Sequence, residues 1–220
     1  MLLDLLLPRR CVACRTLGAA FCGRCRNALP RLAAPRCARC GAATAWPVNR
    51  CLECSGRRLA FASARAAVAY EGPVLPFVSA WKERGLRALA AEAAEIIVDI
   101  VERPDVTAIA FVPRDSDRSV KRGHHPAERL AQALGQHWEL PLLDALGRTR
   151  TARPQRGLSL QARRRNVAGA FVAAGGVPAR VALVDDVYTT GATVSAASSA
   201  LRRSGARRVE VVTFARTVRN

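Results

Sequence analysis

Val181-Ala182-Leu183-Val184-Asp185-Asp186-Val187-Tyr188-Thr189-Thr190-Gly191-Ala192-Thr193 is the stretch on which the fold turns. Four apolar residues in a row, after the breaker Pro178, predict a buried strand of a parallel sheet that ends at two adjacent carboxylates. Hydroxyl residues surround Gly191, and helical spacing follows from Val194 to Arg203. In open α/β sheets ligands gather at the carboxyl ends of strands, often facing a helix N-terminus whose unpaired N–H groups favour phosphate. Gly191 allows close backbone approach to an anion, and Thr189, Thr190 and Thr193 add hydroxyl donors. Asp185 and Asp186, when ionised, suit a vicinal diol or a hydrated divalent cation. A phosphate beside a diol outlines a ribose 5-phosphate.

This segment resembles the phosphoribosyl pyrophosphate (PRPP) motif of type I phosphoribosyltransferases. The resemblance implies that Asp185 and Asp186 contact the ribose hydroxyls, and that the loop Val187 to Thr193, with Ala192 and Thr193 closing it, wraps the 5-phosphate. No Gly-x-x-x-x-Gly-Lys-Ser/Thr and no Gly-x-Gly-x-x-Gly occurs in the chain to compete with it.

Working outward, Thr107 to Val112 predicts a second core strand that opens into a basic loop, Pro113 to Gly123, before a helix from about Pro126 to Leu134. On the phosphoribosyltransferase reading this loop takes pyrophosphate, with Arg114, Lys121 and Arg122 neutralising it and Gly123 letting the loop fold back. His124 and His125 read as surface or packing residues. Leu146 to Asn166 carries seven arginines and no acid, and with Pro154 and Gly157 it reads as a mobile segment able to close over a ligand. Val167 to Val172 and Arg208 to Phe214 complete the alternation of strands and helices from Thr107 onward, which indicates a parallel α/β sheet flanked by helices. Before it, Ala64 to Tyr70 reads as a strand, and Pro73 to Arg84 and Leu86 to Val101 as helices. Lys82 is expected to be a solvated last-turn lysine rather than a phosphate ligand.

All eight cysteines fall before residue 55 in four Cys-x-x-Cys pairs: Cys11/Cys14, Cys22/Cys25, Cys37/Cys40 and Cys51/Cys54. Eight thiolates at this spacing make two tetrahedral zinc sites. Sequential pairing is the simplest arrangement, and a cross-brace stays open on spacing alone. Ser55 to Leu59 reads as a boundary, giving a cysteine-rich module at 1–58 and an α/β domain at 59–220. About fifty residues bury little core, so metal supplies most of the module's folding energy. Only Phe21 and Trp46 lie within the cysteine region, which favours a structural or docking role over base stacking.

The formal charge of +18 comes almost wholly from arginine, since only Lys82 and Lys121 are lysines. Such a surplus points to a polyanionic partner, although arginine with abundant alanine is also what a GC-rich genome produces. Each zinc with four thiolates carries −2, which lowers the total to +14, and Arg10, Arg15, Arg24, Arg26, Arg36 and Arg39 among the ligands are expected to offset that charge. No run of 18 apolar residues occurs, so a spanning helix and membrane insertion are not expected. The opening Met-Leu-Leu-Asp-Leu-Leu-Leu-Pro carries an acid where a signal peptide wants positive charge, so it reads as a short packing helix of a cytoplasmic protein.

Taken whole, the chain resembles the ComF family of bacterial competence-related proteins, a double zinc ribbon joined to a type I phosphoribosyltransferase domain. The match rests on the paired Cys-x-x-Cys head, Ala69-Tyr70-Glu71-Gly72 with Trp81-Lys82, Arg153-Pro154-Gln155-Arg156-Gly157-Leu158-Ser159 with Arg165-Asn166-Val167, and the terminal motif. Where that family reads Arg-Gly-Phe-Asn-Gln, this chain has Arg122-Gly123-His124-His125-Pro126. The resemblance implies two structural Zn²⁺, Mg²⁺ with PRPP, and Arg153, Gln155 and Arg156 in a mobile loop. Asp185 and Asp186 are then the candidate catalytic pair, in a transfer of phosphoribosyl to an acceptor with release of pyrophosphate. The alternative is a non-catalytic competence accessory, with single-stranded DNA or other competence proteins meeting its ribbons and arginine surface.

Overall fold

The computed structural model describes residues 9–114, 125–149 and 169–218. Its elements are α1 (Gly23–Asn27), β1 (Ser63–Ala69), α2 (Val74–Lys82), α3 (Leu89–Ile100), β2 (Ala108–Phe111), α4 (Pro126–Trp138), β3 (Leu142–Leu143), β4 (Leu146–Arg148), β5 (Phe171–Ala173), β6 (Arg180–Tyr188), α5 (Ala192–Arg203) and β7 (Arg208–Arg216). Five strands form one sheet in the order β1-β7-β6-β2-β3, with every pair parallel.

The central strand β6 is buried on both sides, which explains its unbroken apolar run: Val181, Ala182, Leu183 and Val184 have no exposed surface. Burying a Val or Leu side chain contributes about 1.5–3 kcal/mol each. Alternation along the strands divides the neighbours. Ala182 and Val184, with Ile109, Phe111, Val212 and Phe214, pack beneath α2, α3 and α4. Val181 and Leu183, with Ala110, Val209 and Val211, pack beneath α5. Asp186, two residues beyond Val184, therefore follows the face of α2, and Asp185 the opposite one.

Two expectations are corrected here. The strand does not stop before the acids: β6 runs on to Tyr188, paired with Arg216, because β7 is equally long and carries the ladder past them. Nor is the second half wholly parallel. The segment expected as a sheet strand over Val167 to Val172 instead contributes to Phe171–Ala173, which pairs antiparallel with Leu146–Arg148 in a separate two-stranded ribbon. Arg148 is thus not part of a loose segment; its Nε donates to the Pro113 carbonyl (3.2 Å) and its guanidinium lies 4.9 Å from the Phe171 ring centre.

The cysteine-rich head closes the β1 edge, which would otherwise offer a row of unpaired groups. Ala69 N–H donates to Pro30 O, Leu32 N–H to Ala67 O, and Ala64 N–H to Arg39 O, at 2.8, 2.9 and 2.9 Å. Gly41 has φ 71°, and a Cβ there would sit 2.3 Å from the Ala64 carbonyl oxygen, so only glycine lets the head approach β1 this closely. Arg26 reaches Glu92, Glu95 and Asp99 on one face of α3 at 3.1, 3.0 and 3.0 Å. Arg39 donates to the carbonyls of Leu59 and Ala62. These two arginines dock the head. Phe21 is buried edge-on against Phe77, which stacks on Phe214. Trp46 is exposed.

Candidate phosphate site and metal centres

The eight cysteines fall into two groups, Cys11/Cys14/Cys22/Cys25 and Cys37/Cys40/Cys51/Cys54, with all Sγ atoms of a group within 4.8 Å of one another. Pairing is therefore sequential. Four sulfurs held about 2.3 Å from a zinc ion stand about 3.8 Å apart at the corners of a tetrahedron. The Cys14–Cys22, Cys37–Cys54, Cys40–Cys51 and Cys51–Cys54 separations are 3.5, 3.6, 3.4 and 4.0 Å, so the residues fit zinc. Burial pushes the Cys37 thiol up, but the backbone N–H groups of Cys40, Cys51 and Arg39 outweigh it and bring it down to about 7. Amides aimed at a sulfur favour the thiolate that a metal needs.

At the carboxyl end of β6 the two acids diverge. Asp186 is nearly buried, and Lys82 Nζ bridges its Oδ1 and Oδ2 at 2.8 and 2.7 Å. Lys82, though partly exposed, is thus not a free last-turn lysine; α2 ends above the sheet rim and hands its last-turn cation to the Asp186 carboxylate. Asp186 Oδ1 also accepts the Val187 N–H (2.7 Å), and Asp185 Oδ1 accepts the Asp186 N–H (2.9 Å). A carboxylate has about four acceptor positions, so Asp185 keeps three and Asp186 one. Burial, and then the charge of Asp186, push the Asp185 carboxyl up to about 7, while Lys82 and Arg148 pull it down.

The turn after β6 is held from behind. Thr217 N–H donates to Tyr188 O (3.0 Å), Thr217 Oγ1 to Thr189 O (3.1 Å), and Arg57 Nη2 to Thr190 O (2.5 Å). In a trans peptide the C=O and the following N–H point in opposite directions. Three anchored carbonyls therefore turn the N–H groups of Thr189, Thr190 and Gly191 the other way, and among the described residues these amides form no hydrogen bond. Gly191 caps α5 at φ 71°, and a Cβ there would fall 2.2 Å from Tyr188 Oη. Backbone angle and the ring beneath both demand glycine. Thr190 Oγ1 accepts the Ala192 N–H at 3.4 Å, and Thr193 stands in the first turn of α5.

Of the predicted pyrophosphate residues, Arg114 follows β2 at the same rim, while Lys121, Arg122 and Gly123 lie outside the described residues. Arg153, Gln155 and Arg156 lie outside them too, as do His124 and the opening residues 1–8. His125 does more than pack. Its ring meets Phe111 edge-on at 5.2 Å, Nε2 accepts the Arg114 N–H at 2.9 Å, and Nδ1 accepts the Glu128 N–H at 3.2 Å as the cap of α4. A neutral imidazole has one acceptor nitrogen, so the ring takes one bond at a time, and a protonated ring takes neither. The signal was present in the sequence: His125 stands where the resembled family has Asn, a preferred N-cap, and Pro126 follows at the first helical position.

Burial lowers the His125 pKa below 6.5. A depressed folded value means that this group's stabilisation is present above about pH 6.5 and is lost as pH falls below it. Asp185 acts in the opposite sense, because its raised value favours the folded state as pH falls below about 7. The comparison that isolates the cap is therefore His125→Asn against the parent. The variant is expected to match it at pH 8 and to exceed it by about 0.5–2 kcal/mol at pH 5.5 in urea unfolding. Equal stabilities at both pH values would refute the cap.

A parallel sheet with helices on both faces and two four-cysteine groups docked on its edge defines the class: a double-zinc-ribbon protein with an α/β domain. The double zinc ribbon domain family matches residues 2–55. Competence protein F of Haemophilus influenzae is 29% identical over 221 residues, covering 94% of this chain and 96% of its own. The DNA utilization protein YhgH of Salmonella typhimurium is 30% identical over 230 residues, covering 97% of this chain and all of its own. The chain belongs to this family, the ComF family. A solved purine phosphoribosyltransferase from Pyrococcus horikoshii shares 20% identity over 58% of this chain and 81% of its own, with a TM-score of 0.32.

Proposed function

We propose that the chain binds PRPP with Mg²⁺ at the rim of β6, in the service of competence or DNA uptake, with residues 1–58 as the ribbon module and 59–220 as the binding domain. The observation that carries this reading is the set of outward-turned amides at Thr189, Thr190 and Gly191 beside two carboxylates with acceptor positions to spare. The 5-phosphate takes the amides and the hydroxyls of Thr189, Thr190 and Thr193. The ribose 2- and 3-hydroxyls donate to Asp185 and to the remaining position on Asp186. The pyrophosphate arm then extends toward Arg114. Asp185 would be the acid to hold Mg²⁺, which would supply charge neutralisation of the leaving pyrophosphate. Lys82 holds Asp186 in place from both oxygens, so the hydroxyls meet a preorganised acceptor. Among the described residues no side chain at the rim stands out as a general base for an acceptor, and phosphoribosyl transfer would rest on positioning and charge.

Zinc-loaded protein with Mg²⁺ and ribose 5-phosphate or PRPP at about 100 times Kd is expected to gain about 2.7 kcal/mol, a rise of roughly 5–10 °C in Tm. No rise with either ligand would sink the reading.

A second reading has its own observation. A cleft of about 730 Å³ between the second ribbon, β1, β7 and the α3–β2 connection is lined by Arg36, Arg39, Arg50, Arg65, Arg103 and Arg208, against Glu102, Asp105 and Glu210. That surplus of positive charge suits a nucleic-acid backbone, and single-stranded DNA bound there would lose affinity steeply with salt. No helix among the described residues is long and apolar enough to cross a membrane.

A further inference from the structure

We infer that the second zinc ribbon is a working part of the anion site, and that Arg57 and Arg216 are the positioning residues through which it aims the phosphate loop. This rests on the PRPP reading of that loop. Arg57 follows the last cysteine of the second group by three residues, and its Nη2 holds Thr190 O at 2.5 Å. Its own backbone belongs to the ribbon turn: the Arg57 N–H donates to Cys54 O (3.2 Å), and Arg50 Nη1 donates to Arg57 O (3.3 Å). Because the Thr190–Gly191 peptide is trans, fixing that carbonyl fixes the direction of the Gly191 N–H.

Arg216 supplies a second route. It is 2% exposed, donates to Cys40 O at 2.6 Å and to Glu53 Oε2 at 2.9 Å, and lies 5.1 Å from the centre of the Tyr188 ring. That ring is the floor on which Gly191 rests. A third contact runs from the Ala60 N–H to Ser195 Oγ on the first turn of α5 (3.1 Å). The chain 40–60 thus grips the loop at its carbonyl, its floor and its helix start. None of the three groups faces the ligand; each acts through the loop.

A buried arginine such as Arg216 is a hazardous target, because its loss strands Glu53 and the Cys40 carbonyl. Arg57 is only partly buried and is the cleaner test. In Arg57→Ala, ribose 5-phosphate affinity by calorimetry is expected to fall about tenfold and exchange of the amides at 189–193 to rise about tenfold. Zinc content and the unligated Tm should stay as in the parent. Arg57→Lys should recover part of both, since an ammonium can still donate to the carbonyl. If exchange and affinity in Arg57→Ala both equal the parent's, the ribbon does not position the loop. If the parent itself binds no ribose 5-phosphate, the PRPP reading falls, and amide exchange alone then decides whether Arg57 orders the turn.

Discussion

Chelating both zinc ions at neutral pH is expected to abolish the cooperative unfolding transition of the whole chain, not of its first fifty residues alone. The cysteines are not appended to a finished domain. Cys11 and Cys25 sit in one apolar cluster with Val184, Val212 and Phe214, and Cys37, Cys40 and Cys54 sit in another with Leu183, Val211 and Phe61. Both faces of the central sheet therefore have metal-dependent walls. A structural zinc site contributes about 10–16 kcal/mol in small peptides, against a total stability of about 5–15 kcal/mol for a domain. Losing two such sites from the shared core leaves too little apolar burial to order the rest. Near-UV circular dichroism and calorimetry during titration with a chelator would record the loss of fixed packing. A chelated protein that keeps a single sharp transition and native near-UV signal would show that the α/β part stands alone. Cys37→Ser, at a sulfur with no exposed surface, should cost far more than Cys14→Ser at the exposed corner of the first group.

How much of this could be read beforehand follows from range. The run Val181–Val184, the turn at Gly191 and the four Cys-x-x-Cys pairs are local patterns, and each stands in the structure where the sequence placed it. What stayed hidden depends on partners far along the chain. Nothing near Lys82 announces that it closes on an acid 104 residues later. Arg57 and Arg216 looked like two more arginines in a chain full of them. Their roles appear only when β1 and β7 lie side by side and bring the ribbon against the turn. The length of β6 is hidden for a related reason: two carboxylates look like a strand's end until the equally long β7 supplies a ladder past them. Arg148 belongs by composition to the arginine-rich segment Leu146 to Asn166, and its pairing with Phe171 across the β4–β5 ribbon is a non-local contact that composition does not show.

The acid pair carries the second large effect. Asp186→Asn is expected to weaken ribose 5-phosphate binding at least about a hundredfold, because the amide loses charge and turns a donor toward the Lys82 ammonium or the sugar hydroxyl. Asp185 imposes a pH dependence whose direction is fixed. Its carboxyl is held up at about 7, so acid protonates it and removes an acceptor from the diol, and affinity should climb as pH rises from 6 to 8. Asp185→Asn should flatten that profile. Lys82→Met gives the sharper result, since Lys82 holds the Asp185 value down. Without the cation the midpoint of the profile moves to higher pH, and ligand affinity at pH 7 falls although Lys82 touches no ligand. The same variant leaves Asp186 buried without its counter-ion, at a cost of about 1–3 kcal/mol once the half-exposed position of Lys82 is allowed for. Calorimetric titrations of the parent and the three variants at pH 6, 7 and 8 separate these terms. A parent profile that does not change with pH, or a Lys82→Met midpoint that moves down, would mean that these two carboxylates are not the pair that meets the sugar.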